Sequence, residues 1–455
     1  MADRFDAIPF PCRRVPEDAG LARLLGLYPQ RQEGLWMQRT KILGGRLTGP
    51  QWQALAEVAR RYNPETPLHL TTRQDIEIHD VRTDRVPQVQ AALAEAGITV
   101  RGACGDTPRN VTVCPGSGVR SGCPDLGPLA WKVRRHLEAT DGITALPRKF
   151  KISFSACPEA CAGPWINDLG FVAERRDGRW GFRVIGAGSL CARPGTGIPL
   201  YDWIEPDDVL PLVSAAIEFF AEHGDRENRR RARLRHVRER MGDEAFRNGL
   251  DRGFAAERDA SARPAPVDLL PPERPLDGRL TLTFASGDVS PAAAEALADL
   301  ADGDDLAVRI GCHHRVHVFG RDEETVRAAV GAAAALSEAA RRQASVVACS
   351  GARWCRRGLA RTDRLADRIR ERFAERLDPA TTVCISGCPN GCAHTRVADI
   401  GATGGQVRAG GGREEAWTLY MGGGMGRTLA LAEPVAARLP ADEVLERIAV
   451  LADRA

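Results

Sequence analysis

Alternating apolar and polar residues, separated by amphipathic segments, divide the first hundred residues into predicted strands and helices. The segments LWMQRTKI and LHLTTRQDIEIHDV alternate with the two-residue period of a strand. TGPQWQALAEVARRY and VPQVQAALAEAGI carry apolar residues at helical spacing, and Thr48 is the expected N-cap of the first helix. The pattern predicts a compact unit of strands and helices over residues 21–100.

A similar series of elements recurs in the second half of the chain. RLTLTFAS, DLAVRIG and RVHVFG have strand patterns, while SPAAAEALADLA, capped by Ser290, and DEETVRAAVGAAAALSEAA have helical ones. They predict a second unit over residues 278–343. Each unit precedes a longer cysteine-bearing region, at residues 101–255 and 344–455. The Pro-rich stretch over residues 256–277 predicts a semi-rigid linker between the halves.

Matching motifs in the two halves indicate an internal duplication. Equivalent positions are separated by nearly one offset: 231 residues between Cys157 and Cys388, 235 between Cys114 and Cys349, and 242 between Arg73 and Arg315. This period is far too long for a solenoid repeat. We therefore expect one chain built from two related halves.

Composition narrows the class of protein. The chain has 455 residues, of which 27% are charged, and a net charge of only +3, which does not indicate nucleic acid as a partner. Residues 229–240 are strongly basic and could form a nucleic-acid-binding arm, but a solvated helix is the preferred interpretation. A docking surface for an acidic protein partner is a third interpretation. No apolar run reaches membrane-spanning length and no secretory leader is evident, so we expect a cytoplasmic protein without a membrane partner.

Four cysteines near the C-terminus carry the clearest chemical signal. Cys349 and Cys355 are separated by five residues, and Cys388 and Cys392 by three. We call these four the C-terminal quartet. Two short-spaced pairs of thiolates are enough to hold a 4Fe–4S cluster. Tetrahedral zinc is an alternative, although the cysteine pairs of structural zinc sites usually have a shorter spacing. Disulfides are disfavoured, because the chain has an odd number of cysteines, 13, and no evident secretory leader.

The chain resembles the siroheme-dependent nitrite/sulfite reductase family. The resemblance covers nearly the whole chain and rests on GLYPQRQEGLWMQRTKILGG, LTTRQDIEIHD, DTPRNVTVCP, LPRKFKISFS, INDLGFVAE, TLYMGGGMG and both C-terminal cysteine pairs. It implies an α+β fold in α/β layers, with pseudo-twofold symmetry. Two ferredoxin-like half domains and two nitrite/sulfite reductase 4Fe–4S/siroheme domains would then account for the duplication.

The resemblance also implies the chemistry. It assigns the C-terminal quartet to a 4Fe–4S cluster and Cys392 to the thiolate shared with the siroheme iron. The expected reaction is the six-electron reduction of sulfite to sulfide. Electrons would come from an external ferredoxin or flavoprotein, because the chain carries no flavin or pyridine-nucleotide fingerprint.

Several cations match residues that bind the substrate or siroheme in the family. Arg73, Arg109, Lys149 and Lys151 match the substrate-binding set, here called the anion site. Lys149 and Lys151 are two apart on a predicted strand, so both are expected to face one pocket. Lys151 favours sulfite, because relatives that resemble nitrite reductases tend to carry Asn there. Residues matching contacts to the siroheme carboxylates are Arg39, Lys41, Asn110, Arg148 and Asn390.

The N-terminal half carries a second set of cysteines that departs from many single-chain relatives. Cys157 and Cys161 are separated by three residues, and Cys114 and Cys123 by eight, with Cys104 nearby. This N-terminal quartet (Cys114, Cys123, Cys157 and Cys161) either holds a second 4Fe–4S cluster, perhaps with a second tetrapyrrole, or consists of plain buried thiols. The motif PRKFK is replaced by PATTV in the other half, so a tetrapyrrole there would not reduce the anion.

Three alternatives to sulfite reduction remain open at the level of sequence. The same centre could reduce nitrite to ammonia. The chain could also be a precorrin-3B synthase-like enzyme of cobalamin synthesis. Such enzymes share a motif similar to SGC…GCAH near Cys388, although they do not usually keep Lys149 and Lys151. A non-catalytic electron-transfer or zinc-scaffold protein is the third alternative.

Overall fold

The first half domain is a four-stranded antiparallel sheet packed with helices. The computed structural model describes residues 4–260, 267–341, 343–373, 375–409 and 411–452. The elements of the first half domain are α1 (Ala19–Leu24), β1 (Leu27–Pro29), β2 (Leu35–Arg39), α2 (Gly49–Tyr62), β3 (Leu68–Leu70), β4 (Ile76–Arg82) and α3 (Val86–Glu95). Thr48 caps α2 as predicted: its hydroxyl accepts from the Gln51 N–H, and the Gln51 side chain accepts from the Thr48 N–H.

The prediction of one strand for LHLTTRQDIEIHDV is wrong, because residues 71–75 form a turn between β3 and β4. The Thr71 hydroxyl accepts from the N–H groups of Arg73 (3.2 Å) and Asp75 (3.1 Å). Gln74 has a φ of +62°, outside the extended region of a strand. The turn moves Arg73 out of the sheet and toward the second region of the chain.

The region that follows holds a five-stranded mixed sheet flanked by helices. Its elements are β5 (Thr112–Val113), α4 (Gly127–Ala139), β6 (Ile152–Ser155), β7 (Leu169–Arg176), β8 (Arg179–Gly186), β9 (Ile198–Ile204), α5 (Val209–His223), α6 (Leu234–Met241) and α7 (Asp243–Ala260). The strand order is β5-β6-β7-β8-β9. β5, β6 and β7 are parallel, and β8 and β9 complete the sheet in antiparallel pairing.

The second half repeats this design. Its first unit comprises β10 (Gly278–Thr283), β11 (Asp288–Val289), α8 (Pro291–Ala301), β12 (Leu306–Ile310), β13 (Arg315–Gly320) and α9 (Glu323–Ala332). Its second comprises β14 (Ser345–Ala348), α10 (Gly351–Trp354), α11 (Thr362–Phe373), β15 (Thr382–Ser386), β16 (Ile400–Ala409), β17 (Gly412–Met421), β18 (Gly424–Met425), β19 (Leu429–Ala430), β20 (Glu433–Leu439) and α12 (Ala441–Ala452).

Strand pairing confirms the duplication. The order β14-β15-β16-β17-β20 has the same succession of parallel and antiparallel neighbours as the first large sheet. Ile152 pairs with Leu169 in one sheet, and Val383 pairs with Ile400 in the other. Both partners are shifted by the 231 residues that separate the cysteine motifs. The predicted α+β fold with two half domains and two larger domains is therefore confirmed.

The two halves are joined through their smaller sheets. β11 of the second half pairs with β3 and completes a five-stranded sheet of the first half domain. The two halves also pair at a second place, where Arg46 of the first half and Arg309 of the second form an isolated antiparallel bridge. Helices α2 and α8 pack against each other, and their buried Trp52 and Leu297 belong to one core that spans both half domains and the first large domain. A separate core around Trp417 fills the last domain.

The Pro-rich segment differs in part from the predicted linker over residues 256–277. Helix α7 continues to Ala260, so the first five of those residues are helical. Residues 261–266 lie outside the described residues, and residues 267–277 contain no helix or strand. The other domain boundaries stay predictions. None of the described helices is long and apolar enough to cross a membrane.

Candidate functional site

The C-terminal quartet lies at the carboxyl edge of the last large sheet. Cys349 follows β14 and Cys388 follows β15, two parallel neighbours whose carboxyl ends share one edge. Cys355 ends α10, and Cys392 is in the turn after Cys388. Burial, together with the neighbouring thiols of Cys392 and Cys355, raises the pKa of Cys388 to about 11. The structure thus brings the four predicted ligands together.

The surroundings of these thiols suit an iron–sulfur cluster. The Gly387 N–H donates to Cys349 Sγ at 3.2 Å, a contact that stabilises a thiolate ligand. A 4Fe–4S cluster binds its four thiolates through four different irons, so its ligands do not share one ion. The donor set therefore fits a cluster.

The two arginines of the anion site are fixed by hydrogen bonds to carbonyl oxygens. Arg73 donates to Asn167 Oδ1 at 2.9 Å and to the Ile152 carbonyl at 3.1 Å. Arg109 donates to the carbonyl groups of Ala103 (3.1 Å) and Gly105 (2.8 Å). In both guanidinium groups Nε is buried without a hydrogen-bond partner. Each side chain is held rigidly while keeping an unused donor.

The two lysines of the anion site directly precede β6 instead of lying within a strand, which corrects the prediction in detail. Phe150 between them is fully buried, and both lysine side chains are only partly buried. Burial, together with the nearby cations Arg109 and Arg233, lowers the pKa of Lys149 to about 7. Burial also lowers the pKa of Lys151 strongly, with Arg73 and Lys149 adding to the effect. Neither ammonium group has a hydrogen bond or ion pair with any described residue.

The anion site faces the C-terminal quartet. Cys392 is close enough to Lys149 that its thiol, when ionised, raises the pKa of the Lys149 ammonium group. The Thr72 hydroxyl donates to the Cys392 carbonyl at 3.0 Å, which ties the turn that carries Arg73 to the cysteine loop. The four cations predicted from separate motifs therefore converge beside the cysteine expected to bridge cluster and siroheme.

Arg233 is a residue of this site that the sequence interpretation missed. It precedes α6, is 6% exposed, and pairs with the fully buried Asp168 at 2.6 Å. Its charge acts on both Lys149 and Lys151. Arg235 is also buried, so the interpretation of residues 229–240 as a solvated helix is wrong. The apolar neighbours Ala232, Leu234 and Val237, all buried, were the signal that this segment has an inward face.

The residues expected to contact siroheme carboxylates have different environments. Arg39 is engaged by Glu77, and Lys41 lies over the Phe5 ring at 4.5 Å from its centroid. Arg148 is bound to Asp106 at 2.8 Å while lying beside Lys149.

The two asparagines of this set lie nearer the reactive groups. Asn110 donates to the Arg73 carbonyl at 3.1 Å, and its Oδ1 is buried without a partner. Asn390 is exposed and contacts the Cys388 thiol. Asn110 and Asn390 would thus be free to hold siroheme, whereas Arg39 and Arg148 are each paired with a carboxylate. The assignment of all five residues to siroheme stays a prediction.

A duplicated fold, a cysteine quartet and converging cations define an iron–sulfur oxidoreductase for a small oxyanion. Residues 104–256 and 339–453 match the "Nitrite and sulphite reductase 4Fe-4S domain" family, and residues 28–96 match the "Nitrite/Sulfite reductase ferredoxin-like half domain". The chain belongs to this nitrite and sulfite reductase family. It is an oxidoreductase, and membership implies a siroheme and a 4Fe–4S cluster.

Named relatives include reductases of both anions. The "Assimilatory ferredoxin-dependent nitrite reductase" of Haloferax mediterranei is 32% identical, over 94% of this chain and 81% of that protein. The "Sulfite reductase [NADPH] hemoprotein beta-component" of Acidithiobacillus ferrooxidans is 32% identical over 48% of this chain and 44% of that protein. The solved NirA protein of Mycobacterium tuberculosis shares the fold, with a TM-score of 0.79, 23% identity, and coverage of 94% of this chain and 85% of that one.

Proposed function

We propose that this chain reduces sulfite to sulfide with six electrons, at a siroheme linked through Cys392 to a 4Fe–4S cluster on the C-terminal quartet. The observation that supports this most is the pair Lys149 and Lys151, held beside two fixed arginines and next to Cys392. Three oxygen atoms must leave sulfite as water, so the site has to bind negative charge and deliver protons.

The lysines are suited to both tasks. The chain has only four lysines among its 63 Lys and Arg residues, and two of them are in this site. A lysine releases a proton when its pKa falls toward neutrality, whereas an arginine stays protonated. A bound anion raises the pKa of a neighbouring ammonium group, so Lys149 and Lys151 take up protons as sulfite binds. They then donate them to the departing oxygen atoms.

The remaining residues orient the anion and hold the lysines. Arg73 and Arg109 each offer the anion a positive charge and an unpartnered Nε–H, from positions fixed by hydrogen bonds to oxygen atoms. Asp168 accepts from the Lys151 N–H at 2.8 Å and anchors the start of β6. The siroheme and cluster, when bound, supply electrons through a covalent path.

Charge favours sulfite over nitrite at this site. Coulomb attraction to four nearby cations is about twice as large for a dianion as for a monoanion at the same distance. Nitrite is the second candidate, because the Haloferax relative carries that activity in its name. The same name supports a reduced ferredoxin as the electron donor, with a flavoprotein as the alternative.

Exchanging Lys151 for asparagine tests the proposal. In Lys151→Asn we expect kcat/KM for sulfite to fall at least about tenfold further than kcat/KM for nitrite, equivalent to about 1.4 kcal/mol of selective transition-state binding. Siroheme content should stay near that of the parent protein. Lys132→Asn makes the same exchange on α4 and should change neither constant.

Two results would contradict the proposal. Equal loss of both activities together with siroheme would show that Lys151 is structural. Turnover of a precorrin without turnover of either anion would favour the cobalamin-pathway enzyme.

A further inference from the structure

The N-terminal quartet has the same strand environment as the C-terminal one. Cys114 follows β5 and Cys157 follows β6, again at the shared carboxyl edge of two parallel neighbours. The Cys114 N–H donates to the Phe154 carbonyl at 2.9 Å, and the Cys349 N–H donates to the Ile385 carbonyl at 3.1 Å. The first cysteines of the two quartets are therefore placed by equivalent strands and equivalent hydrogen bonds.

The loops that carry the last two cysteines are also equivalent. The Ala156 N–H donates to Cys114 Sγ at 3.2 Å, the same length as the bond from Gly387 to Cys349 Sγ. Ala160 has a φ of +55°, where the counterpart Gly391 has +64°. An alanine in the left-handed region costs about 1 kcal/mol. The first half therefore has the same loop conformation as the second, although Ala160 disfavours it.

The longer spacing between Cys114 and Cys123 does not separate their thiols. The eight intervening residues fold back on themselves: the Gly118 N–H donates to the Cys123 carbonyl at 3.3 Å, and the Cys123 N–H donates to the Arg120 carbonyl at 3.0 Å. The additional residues are absorbed in this compact turn. Cys123 is thereby brought next to Cys157 and Cys114.

The four thiols of the N-terminal quartet contact one another. Cys114 is next to Cys161 and Cys157, and Cys123 is next to Cys157 and Cys114. Cys114 and Cys123 are buried, and Cys161 is exposed, as is its counterpart Cys392. Four converging thiols with amide support form a complete ligand set for a 4Fe–4S cluster.

We infer that Cys114, Cys123, Cys157 and Cys161 hold a second 4Fe–4S cluster, in addition to the one on the C-terminal quartet. This centre does not reduce the anion, because Ala380 and Thr382 stand where the other half has Lys149 and Lys151. The inference depends on the family's iron–sulfur chemistry and not on the choice between sulfite and nitrite.

Iron and acid-labile sulfide per chain, measured on anaerobically purified holoprotein, test the inference. Two clusters and one siroheme require about nine irons and eight sulfides, whereas one cluster and one siroheme require about five and four. The double variant Cys157→Ser/Cys161→Ser should lose about four of each and keep the siroheme spectrum. Cys12→Ser changes another buried thiol, beside α3, and should lose none.

If the double variant does not fold, alkylation of the thiols in the native holoprotein provides a second measurement of whether the N-terminal quartet binds iron. The N-terminal quartet should resist iodoacetamide until the iron is removed by a chelator. About five irons with a siroheme spectrum would overturn the inference and leave the proposed function standing. Zinc or two disulfides in the N-terminal quartet would also overturn it. A colourless protein without iron would instead contradict the proposed function.

Discussion

At the scale of single residues, the most informative side chain is Arg233. Its ion pair with Asp168 is almost completely removed from solvent, and Asp168 also anchors the backbone of Lys151. A buried charge that loses its partner is strongly destabilising, because nothing else compensates its desolvation. Arg233 therefore acts as a positioning residue for the lysine segment.

Replacing Arg233 with glutamine should expose this dependence. We expect the free energy of unfolding to fall by about 3 kcal/mol in Arg233→Gln, because Asp168 is left buried and unpaired. We also expect KM for sulfite to rise. Urea unfolding and steady-state kinetics measure the two effects. Arg230→Gln, at an exposed position three residues earlier, should alter neither, and equal behaviour of the two variants would rule out the positioning role.

The individual site residues were predictable to different degrees. Both members of the lysine pair, Arg73, Arg109 and the C-terminal quartet come together, because each lies in a motif that fixes local backbone geometry. Arg233 was not predictable in the same way, since its partner Asp168 is 65 residues away in the sequence. Long-range ion pairs leave no periodic signal along the chain.

At the scale of secondary-structure elements, the turn over residues 71–75 does most to shape the site. Thr71 accepts two backbone N–H groups and also donates its own N–H to the Asp75 carbonyl at 2.9 Å. The side chain of Gln74 donates to carbonyl groups of Val113 and Ile310 at 2.8 Å each, so the turn is clamped to both halves. The alternating sequence concealed this break, because threonine and isoleucine favour strands on either side of it.

Removing the Thr71 hydroxyl should loosen the turn. In Thr71→Val we expect a loss of about 1–2 kcal/mol of stability, from two backbone donors without an acceptor, and a higher KM for sulfite because Arg73 is less well fixed. Thr48→Val is the matched control: it removes the cap of α2, should cost about 1 kcal/mol, and should leave KM unchanged. A higher KM for sulfite in both variants would show that general destabilisation, and not the loss of the turn, causes the change.

At the scale of the whole molecule, the two halves depend on each other. The substrate cations come from the first half and the C-terminal quartet from the second. Arg31 donates to the Gly358 carbonyl at 2.7 Å, and Arg356 donates to the Gln30 carbonyl at 2.6 Å. These contacts hold the first half domain beside the C-terminal cysteine region. An isolated half would contain only part of the site.

The buried pair of His69 and Asp288 makes this junction sensitive to pH. Burial alone would lower the pKa of His69, but the hydrogen bond and charge of Asp288 at 2.8 Å outweigh it and raise the pKa. A raised folded-state pKa contributes stability that is fully present below about pH 6.5 and is lost as pH rises through the folded value.

Asp288→Asn measures this contribution. The difference in unfolding free energy between parent and variant should be largest near pH 6 and shrink toward pH 9, because only protonated His69 benefits from the carboxylate. Asp299→Asn, on an exposed face of α8, should give a difference independent of pH. A constant difference for Asp288→Asn would show that His69 is neutral throughout this range.

The architecture of the whole molecule was more accessible from sequence than its interior contacts. The near-constant offset between motifs predicted two related halves, because duplicated sequence retains duplicated strand patterns. It could not predict that β11 joins the sheet of the other half, since Asp288 and Val289 form a strand of only two residues. Pairing of so short a strand is decided by tertiary contacts.

The visible spectrum of Cys392→Ser shows whether this thiolate is the ligand shared by the cluster and the siroheme. We predict that the anaerobically purified variant loses the siroheme spectrum coupled to the cluster and no longer reduces sulfite, whereas Cys12→Ser keeps both. A Cys392→Ser protein with the parent spectrum and sulfite turnover would show that Cys392 is not the shared ligand.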